Sequence, residues 1–268
     1  GLLRKMSVTL TDPVGYGLNF VDQDDFQLNP YLGQQLTLRW HGQIQCQHCG
    51  CETKKSFSQG YCYPCSQRLA QCDLCVMSPE RCHYAEGTCR EPAWGEEFCM
   101  QSHIVYLANS TGIKVGITRP SQVPTRWIDQ GAMQALPIMR VASRQLSGFV
   151  EVIYKAHVSD KTHWQKMLKG GGDLIDLVAL RDELYPQVRH EIEQLQATHG
   201  INAVMPITDV APIKINYPVQ AYPTKIVSMN LEKTPEVTGV LQGIKGQYLM
   251  FDTGVINLRK YTGYDIEV

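Results

Sequence analysis

Residues 103–118, HIVYLANSTGIKVGIT, contain the pattern that decides the fold. Two apolar runs, Ile104–Ala108 and Ile113–Ile117, are separated by the polar turn NSTG at 109–112. Alternation over a few residues with a glycine at the turn is typical of a β-hairpin. The stretch is therefore predicted to form two paired strands.

The residues that follow predict a helix, a strand and a second helix. A loop with two prolines leads into Thr125–Ile128, which predicts a short helix ending at Gly131. The apolar run Leu136–Ala142 predicts a strand, and Phe149–Val158 has apolar residues at helical spacing with Glu151 on the polar side. The predicted class is α+β, a small mixed sheet with flanking helices.

At these residues the chain resembles the GIY-YIG nuclease superfamily, in the phage-type branch whose second motif reads Lys-Val/Ile-Gly-x-Thr. Ile104-Val105-Tyr106 stands at the GIY motif and Lys114-Val115-Gly116, followed by Ile117-Thr118, at the YIG motif. Arg126 falls at the family's helix arginine and Glu151 at its metal-binding glutamate. Ile104 replaces a glycine, Lys114 replaces the second tyrosine, and the asparagine beyond the glutamate has no clear counterpart.

This resemblance implies a metal-dependent phosphodiester hydrolase acting on DNA or RNA. Tyr106 would help to relay a proton from water, and Arg126 and Lys114 would hold phosphate. Glu151 would coordinate one Mg²⁺ or Mn²⁺. Each residue also has an ordinary interpretation: a core tyrosine, a surface arginine, a strand-edge lysine and a glutamate paired with Lys155 at i+4.

The charge of this core differs from that of the whole chain, whose formal net charge is −1. Between residues 104 and 169 there are nine Lys/Arg and three Asp/Glu. Such a basic segment fits a polyanionic partner such as nucleic acid, although a solvated charged surface explains it equally well. The candidate substrate-binding residues are Arg119, Lys155, Lys161 and His163.

All ten cysteines lie between residues 46 and 99. The pairs Cys46-x2-Cys49 and Cys62-x2-Cys65 are twelve residues apart, which is a zinc-ribbon spacing. Two such pairs supply the four thiolates of a tetrahedral shell, so a structural zinc is predicted, with disulfides or loose thiols as the alternatives. Cys51 is out of phase with these pairs and is predicted to be a bystander.

A second metal is predicted from the cysteines that remain. The candidate ligands are Cys72, Cys75, Cys82, Cys89, Cys99 and His103. The preferred set is the first four, with the i, i+4 pair of Cys99 and His103 as an equally reasonable half of the shell. Zinc is favoured, and an iron–sulfur cluster is the alternative. Because the segment has few large apolar residues, metal is expected to supply much of its folding energy.

The chain divides into four predicted segments. Residues 1–45 are β-rich, 46–103 form the cysteine-rich module, 104–200 form the nuclease-like core with a packing helix, and 201–268 form a proline-rich arm and a small β domain. A pairing between the two terminal β segments, which makes the middle an insertion, is one arrangement this order allows.

Several classes of protein are not supported by the sequence. It contains no apolar run of 18 residues, no Walker loop, no Rossmann glycine pattern and no GxSxG or HExxH motif. A cytoplasmic protein without a membrane span is expected. As a whole the chain also resembles an uncharacterised bacterial family with a cysteine cluster before this core. The alternatives to a nuclease are a non-catalytic nucleic-acid-binding protein on a degenerate nuclease scaffold, and an iron–sulfur protein.

Overall fold

The computed structural model describes residues 1–158 and 163–268. Its strands are β1 (Ser7–Thr9), β2 (Gly15–Leu18), β3 (Phe26–Gln27), β4 (Gln35–Ile44), β5 (His103–Asn109), β6 (Ile113–Thr118), β7 (Gln134–Val141), β8 (Val204–Pro206), β9 (Ile213–Lys214), β10 (Glu236–Lys245), β11 (Tyr248–Phe251), β12 (Val255–Asn257) and β13 (Tyr264–Glu267). Its α-helices are α1 (Tyr63–Arg68), α2 (Pro92–Phe98), α3 (Thr125–Asp129), α4 (Arg144–Lys155), α5 (Trp164–Met167) and α6 (Leu177–His199). The class is α+β, as predicted.

The predicted hairpin β5–β6 belongs to a sheet with strand order β6-β5-β7-β8, and β9 also pairs with β7. The sequence predicts a mixed sheet, whereas every described pairing in this sheet is antiparallel. The predicted order of strand, strand, helix, strand and helix is confirmed. The last helix begins earlier than predicted, at Arg144, because the Ser143 hydroxyl caps it by accepting a hydrogen bond from the Leu146 N–H.

The two faces of this central sheet belong to two different cores. Side chains alternate along β5, so Tyr106 and Ala108 join one core while Val105 and Leu107 join the other. The first core contains α3 and the strands from both ends of the chain. The second core contains the apolar faces of α4 and α6. The central sheet is thus covered by α4 and α6 on one side and by α3 and the terminal β structure on the other.

A second sheet joins the two ends of the chain. Its order is β12-β11-β10-β4-β13, so β4 from the N-terminal segment lies between two C-terminal strands. Leu38 pairs with Val237, and Trp40 pairs with Ile266. The pairing between the terminal β segments is therefore present, and the cysteine-rich module and the central sheet lie between its partners in the chain. The short strands β1, β2 and β3 form a third sheet.

The cysteine-rich module contains α1, α2 and three 3₁₀ turns at Ala70–Cys72, Leu74–Val76 and Pro79–Arg81. The last of these turns packs against α4. In the described part of the chain, no helix is both long and apolar enough to cross a lipid bilayer.

Candidate metal centre and candidate active site

The first predicted metal centre is assembled in the structure. The sulfur atoms of Cys46, Cys49, Cys62 and Cys65 all lie within 4.8 Å of one another. The Sγ atoms of Cys49 and Cys62 are 3.7 Å apart. Four sulfurs around one zinc at about 2.3 Å are separated by about 3.8 Å. This arrangement is compatible with a zinc ion.

Two tight turns bring these sulfurs together. In the first, the Cys46 N–H donates to the Cys51 carbonyl and the Gly50 N–H donates to the Cys46 carbonyl. Gly50 has φ +70, a conformation that favours glycine. In the second, Cys62 precedes α1, and the helix then places Cys65 one turn later. The Cys51 thiol is exposed and outside the group of four, so Cys51 contributes its backbone to the turn.

The local electrostatics favour thiolate at this centre. Burial acts to raise the pKa of Cys46, but backbone N–H groups directed at its sulfur outweigh burial and bring the pKa to about 6. Burial and the neighbouring sulfurs hold the pKa of Cys65 well above its usual range. A divalent ion would favour the deprotonated form of all four, because coordination requires thiolate.

The remaining cysteines do not group as the preferred set predicts. Cys72 packs against the first centre, beside its buried sulfurs. A separate cavity with a volume of about 20 Å³ is lined by Cys75, Cys82, Cys89 and Cys99. Cys99 therefore takes the place in this group that the prediction gave to Cys72. The 3₁₀ turn Ala70–Cys72 ends at Cys72, so Cys72 packs against the first centre whereas Cys75 lines the cavity.

His103, which the sequence offered as a metal ligand, is not among the residues that line this cavity. Its ring is fully buried on the first residue of β5, where Nδ1 lies 2.8 Å from the Gln101 carbonyl oxygen. Nε2 has no hydrogen-bond partner among the described residues. Burial lowers the pKa of His103 to about 4, so the imidazole is neutral at pH 7.

The cysteine-rich module supports α4, the helix that carries Glu151. The Arg144 guanidinium donates to the Val76 carbonyl at 2.6 Å, and the Gln145 amide donates to the Cys82 carbonyl at 2.9 Å. Gly148 lies so close to the Pro79–Arg81 turn that a Cβ atom there would come 2.4 Å from the Glu80 nitrogen. The position of α4 is therefore tied to the fold of this module.

Tyr106 is at the centre of the candidate active site. It is fully buried, and its hydroxyl donates to the Gln130 side-chain oxygen at 3.0 Å. The edge of its ring contacts Trp127, with 5.8 Å between ring centroids. Its partner on the adjacent strand is Gly116, and the missing side chain there lets the phenol extend across β6, the edge strand.

Two opposite charges act on the Tyr106 hydroxyl. Burial raises the pKa of Tyr106 to about 12; the Arg126 guanidinium opposes this rise and the Glu151 carboxylate adds to it. Arg126 is exposed on α3, whereas the Glu151 side chain on α4 is only 15% exposed. Three of the predicted catalytic residues, on three separate elements, thus interact electrostatically.

Lys114 lies on the same face of the sheet as Tyr106. It is opposite Ala108 and two residues before Gly116 on β6. Because side chains alternate along a strand, Lys114 and the residue at 116 share a face. Lys114 therefore lies one strand away from Tyr106.

The predicted substrate-binding residues have different surroundings. The Arg119 guanidinium lies over the Phe98 ring, 4.7 Å from its centroid. Lys155 pairs with Glu151, with 3.1 Å between Nζ and Oε1. His163 is exposed and directly precedes α5, which packs beside β11 and β12. Lys161 lies outside the described residues.

Three residues near Tyr106 and Arg126 were not among the predicted site residues. Gln130 accepts a hydrogen bond from the Tyr106 hydroxyl. The charge of Arg126 acts on the guanidinium groups of both Arg144 and Arg259. Burial lowers the pKa of both arginines, and the repulsion from Arg126 adds to that effect. The basic count across 104–169 contains Arg144, but Arg259 lies far away in the sequence and no local pattern points to it.

Comparisons with known proteins place the chain in one family. A family model described as "Protein of unknown function (DUF2797)" matches residues 33–266. Neither a curated protein nor a solved structure matches the chain. The match extends from just before β4 into β13. Because it covers most of the sequence, the chain belongs to the DUF2797 family.

Proposed function

We propose that this protein is a divalent-metal-dependent phosphodiester hydrolase that acts on DNA or RNA, with a zinc centre that stabilises the module beside its active site. The observation that carries the proposal is that the Arg126 guanidinium and the Glu151 carboxylate both act electrostatically on the Tyr106 hydroxyl. An arginine, a carboxylate and a phenol are the groups that a phosphodiester needs for charge neutralisation, metal binding and hydrogen bonding. Their motifs also resemble those of GIY-YIG nucleases.

Each residue has a role that its surroundings permit. Arg126 is exposed, so its guanidinium can pair with a phosphate from solvent. Lys114 on the same sheet face would add a second positive charge. Tyr106, with a pKa of about 12, is protonated at neutral pH and would donate or relay a hydrogen bond rather than act as a base by itself.

Glu151 is the residue that would hold a divalent ion. Its carboxylate is bound to the partly exposed Lys155 ammonium, which can turn away into solvent. Mg²⁺ commonly takes one or two protein carboxylates and completes its shell with water and substrate phosphate oxygens, so a single glutamate fits it. The ion would stabilise charge on the leaving oxygen.

The local excess of positive charge supports an anionic substrate. Arg119 and Arg126 each act electrostatically on Arg144, and Arg126 also acts on Arg259, where the Asp129 carboxylate opposes it. Among the described residues, Arg126 and Arg119 have no carboxylate within salt-bridge distance. Arginines gathered without matching acids favour a phosphate-bearing partner.

The test is hydrolysis of structured and single-stranded DNA and RNA with Mg²⁺ or Mn²⁺. Glu151→Ala and Arg126→Ala should each lower the rate by about 100-fold or more, as expected for loss of a group that stabilises transition-state charge. Glu191→Ala and Arg189→Ala, both on α6, are matched controls, because both side chains are exposed and neither is among the charges that shift the Tyr106 pKa. Equal activity in the wild type and both site variants would reject the proposal.

A second candidate is nucleic-acid binding without hydrolysis. The Glu151–Lys155 ion pair favours it, since the carboxylate already has a cationic partner without any metal. Lys114 in place of a second tyrosine also favours binding over proton transfer. Salt-dependent binding with no cleavage, unchanged in Glu151→Ala but weakened in Arg126→Ala, would select this function.

A further inference from the structure

The cavity lined by Cys75, Cys82, Cys89 and Cys99 is separate from the first cysteine centre and from the proposed active site. Its four thiols come from four segments: two 3₁₀ turns, the loop before α2 and the end of α2. Cys89 also approaches the helix closely, since a Cβ atom on Gly95 would lie 3.4 Å from its sulfur. Four cysteines from separate segments thus line one small space.

Apolar burial does not account for the fold of this part of the module. Between residues 70 and 99, the buried positions are the small residues Ala70, Pro79, Gly95 and Cys99. The large apolar side chains Leu74 and Met77 are 73% and 84% exposed. Segments without a sufficient apolar core are commonly held together by disulfides or by metal, and these cysteines are free thiols.

Another group of ligands lies at the same place. Ligand atoms of Asp73, Cys75 and His83 are all within 4.8 Å of one another. Asp73 is already committed, however: one oxygen pairs with the Arg90 guanidinium at 2.6 Å and the other accepts from the Cys75 N–H. The His83 Nδ1 lies 2.8 Å from the Thr88 hydroxyl. The His83 Nε2 lies 3.6 Å from an Asp73 oxygen. Both side chains therefore have partners that hold the surrounding loops, and the four thiols are the ligand set chosen for the proposal.

We propose that Cys75, Cys82, Cys89 and Cys99 bind one zinc ion, independently of the first centre. Four thiolates are a common shell for structural zinc, and each thiol would release its proton to solvent on binding. The cavity between them is small, with a volume of about 20 Å³. An iron–sulfur cluster uses the same thiolate ligands and is distinguished from zinc by its iron content and its visible absorption.

This second ion would also set the position of α4. Two carbonyl groups of the cysteine-rich loops, at Val76 and Cys82, accept hydrogen bonds from Arg144 and Gln145 at the start of that helix. Val76 directly follows the proposed ligand Cys75, and Cys82 is itself a proposed ligand. The metal therefore fixes the surface on which the helix carrying Glu151 rests.

The experiment measures metal content by elemental analysis of the purified protein after removal of loosely bound ions. The wild type should carry two zinc ions per chain, and Cys89→Ser and Cys99→Ser should each carry one. Cys72→Ser and Cys51→Ser are matched controls that should retain two. Cobalt substitution of the wild type should give the intense absorption of thiolate-bound tetrahedral Co²⁺ at twice the intensity of the Cys99→Ser protein.

Each alternative has its own outcome. One zinc in the wild type, or iron with its visible absorption, would overturn the proposal. The ligand set would be overturned if Cys72→Ser lost a zinc ion while Cys99→Ser retained two. It would also be overturned if His83→Gln lost a zinc ion while Cys99→Ser retained two. The wild-type measurement decides the number of ions even if a serine variant fails to fold. None of these outcomes depends on nuclease activity.

Discussion

Tyr106 lies across Gly116 of the neighbouring strand, so close that a Cβ atom at position 116 would stand 2.6 Å from both the Cζ and the hydroxyl oxygen of the tyrosine. The ring has no room to move away, because its edge packs on Trp127 and its hydroxyl is bound to Gln130. The glycine and the tyrosine therefore depend on each other, and only a residue without a side chain at 116 permits this position of the phenol.

Gly116→Ala should therefore destabilise the fold by about 1–3 kcal/mol, the usual effect of overpacking a rigid core. Thermal or denaturant unfolding measures this change. Gly112→Ala is the matched control in the same hairpin, since a Cβ there meets nothing within 4 Å and its φ is unremarkable for an L residue. A Gly116→Ala protein as stable as the Gly112→Ala protein would contradict the observed packing.

The hairpin and its register were predictable because alternation and a glycine turn are local signals. The start of α4 was not, because the predicted helix was placed by apolar spacing and the Ser143 cap precedes that spacing. The cysteines that Cys72 and Cys75 each lie beside could not be predicted from the sequence either. Their CxxC spacing predicts one shared metal, but a turn that ends at Cys72 sends them to different sites.

Pairing across the whole chain was predictable only as a possibility. The terminal segments both have strand-like alternation, but nothing local specifies that β4 lies between β10 and β13. Such long-range pairing follows from burial of both apolar faces in a common core. The approach of Arg259 to Arg126 follows from the same pairing, and so the sequence could not have placed it at the candidate active site.

Chelation of the zinc ion proposed for the first centre should unfold the turns around it without unfolding the central sheet. The module has a small core of its own around Leu69, made largely of the cysteines themselves, whereas β5 is buried between two large cores. Hydrogen exchange after chelation should show loss of protection across residues 46–69 and retained protection in β5. Loss in both regions at once would contradict this.

Cys62→Ser should reproduce the effect of the chelator at the first centre, because it removes one of the four sulfurs. Cys51→Ser should leave the exchange pattern unchanged, since this exposed thiol lies outside the group and only its carbonyl contributes to the turn. Similar exchange patterns in the two variants would show that the set of four ligands is incorrect.

The buried His103 should make stability depend on pH. Its pKa is about 4 in the folded protein because of burial, below the ordinary value of 6.5. Between these values the unfolded chain takes up a proton that the folded chain does not, so stability falls as pH decreases from about 6.5 to 4. The full effect corresponds to about 3 kcal/mol.

His103→Asn should remove this component, because asparagine keeps a donor for the Gln101 carbonyl but does not titrate. The measurement is the difference in unfolding free energy between wild type and variant at several pH values. It should change across pH 4–6.5 and stay constant above that range. A difference that does not vary with pH would mean that His103 has the same pKa in the folded protein as in the unfolded chain.

Lys245 is a buried cation without a carboxylate partner in the described part of the chain. It is 1% exposed, and its ammonium lies 5.3 Å and 5.7 Å from the ring centroids of Tyr217 and Tyr222. Burial lowers its pKa to about 8. Cation–π contacts offset part of the desolvation, typically about 0.5–2 kcal/mol.

Lys245→Met should therefore stabilise the protein at pH 7, by about 1–2 kcal/mol, because it removes a charge whose burial costs about 3 kcal/mol and retains the apolar stem. The folded pKa is below the unfolded one, so wild-type stability rises between about pH 8 and 10.5 as the unfolded chain alone holds the proton. The advantage of the variant should shrink over that range in denaturant unfolding. The stability of Lys245→Arg, which keeps the charge at every pH, should not rise between about pH 8 and 10.5. A loss of stability in Lys245→Met at pH 7 would mean that the cation–π contacts with the two tyrosines outweigh the cost of desolvation.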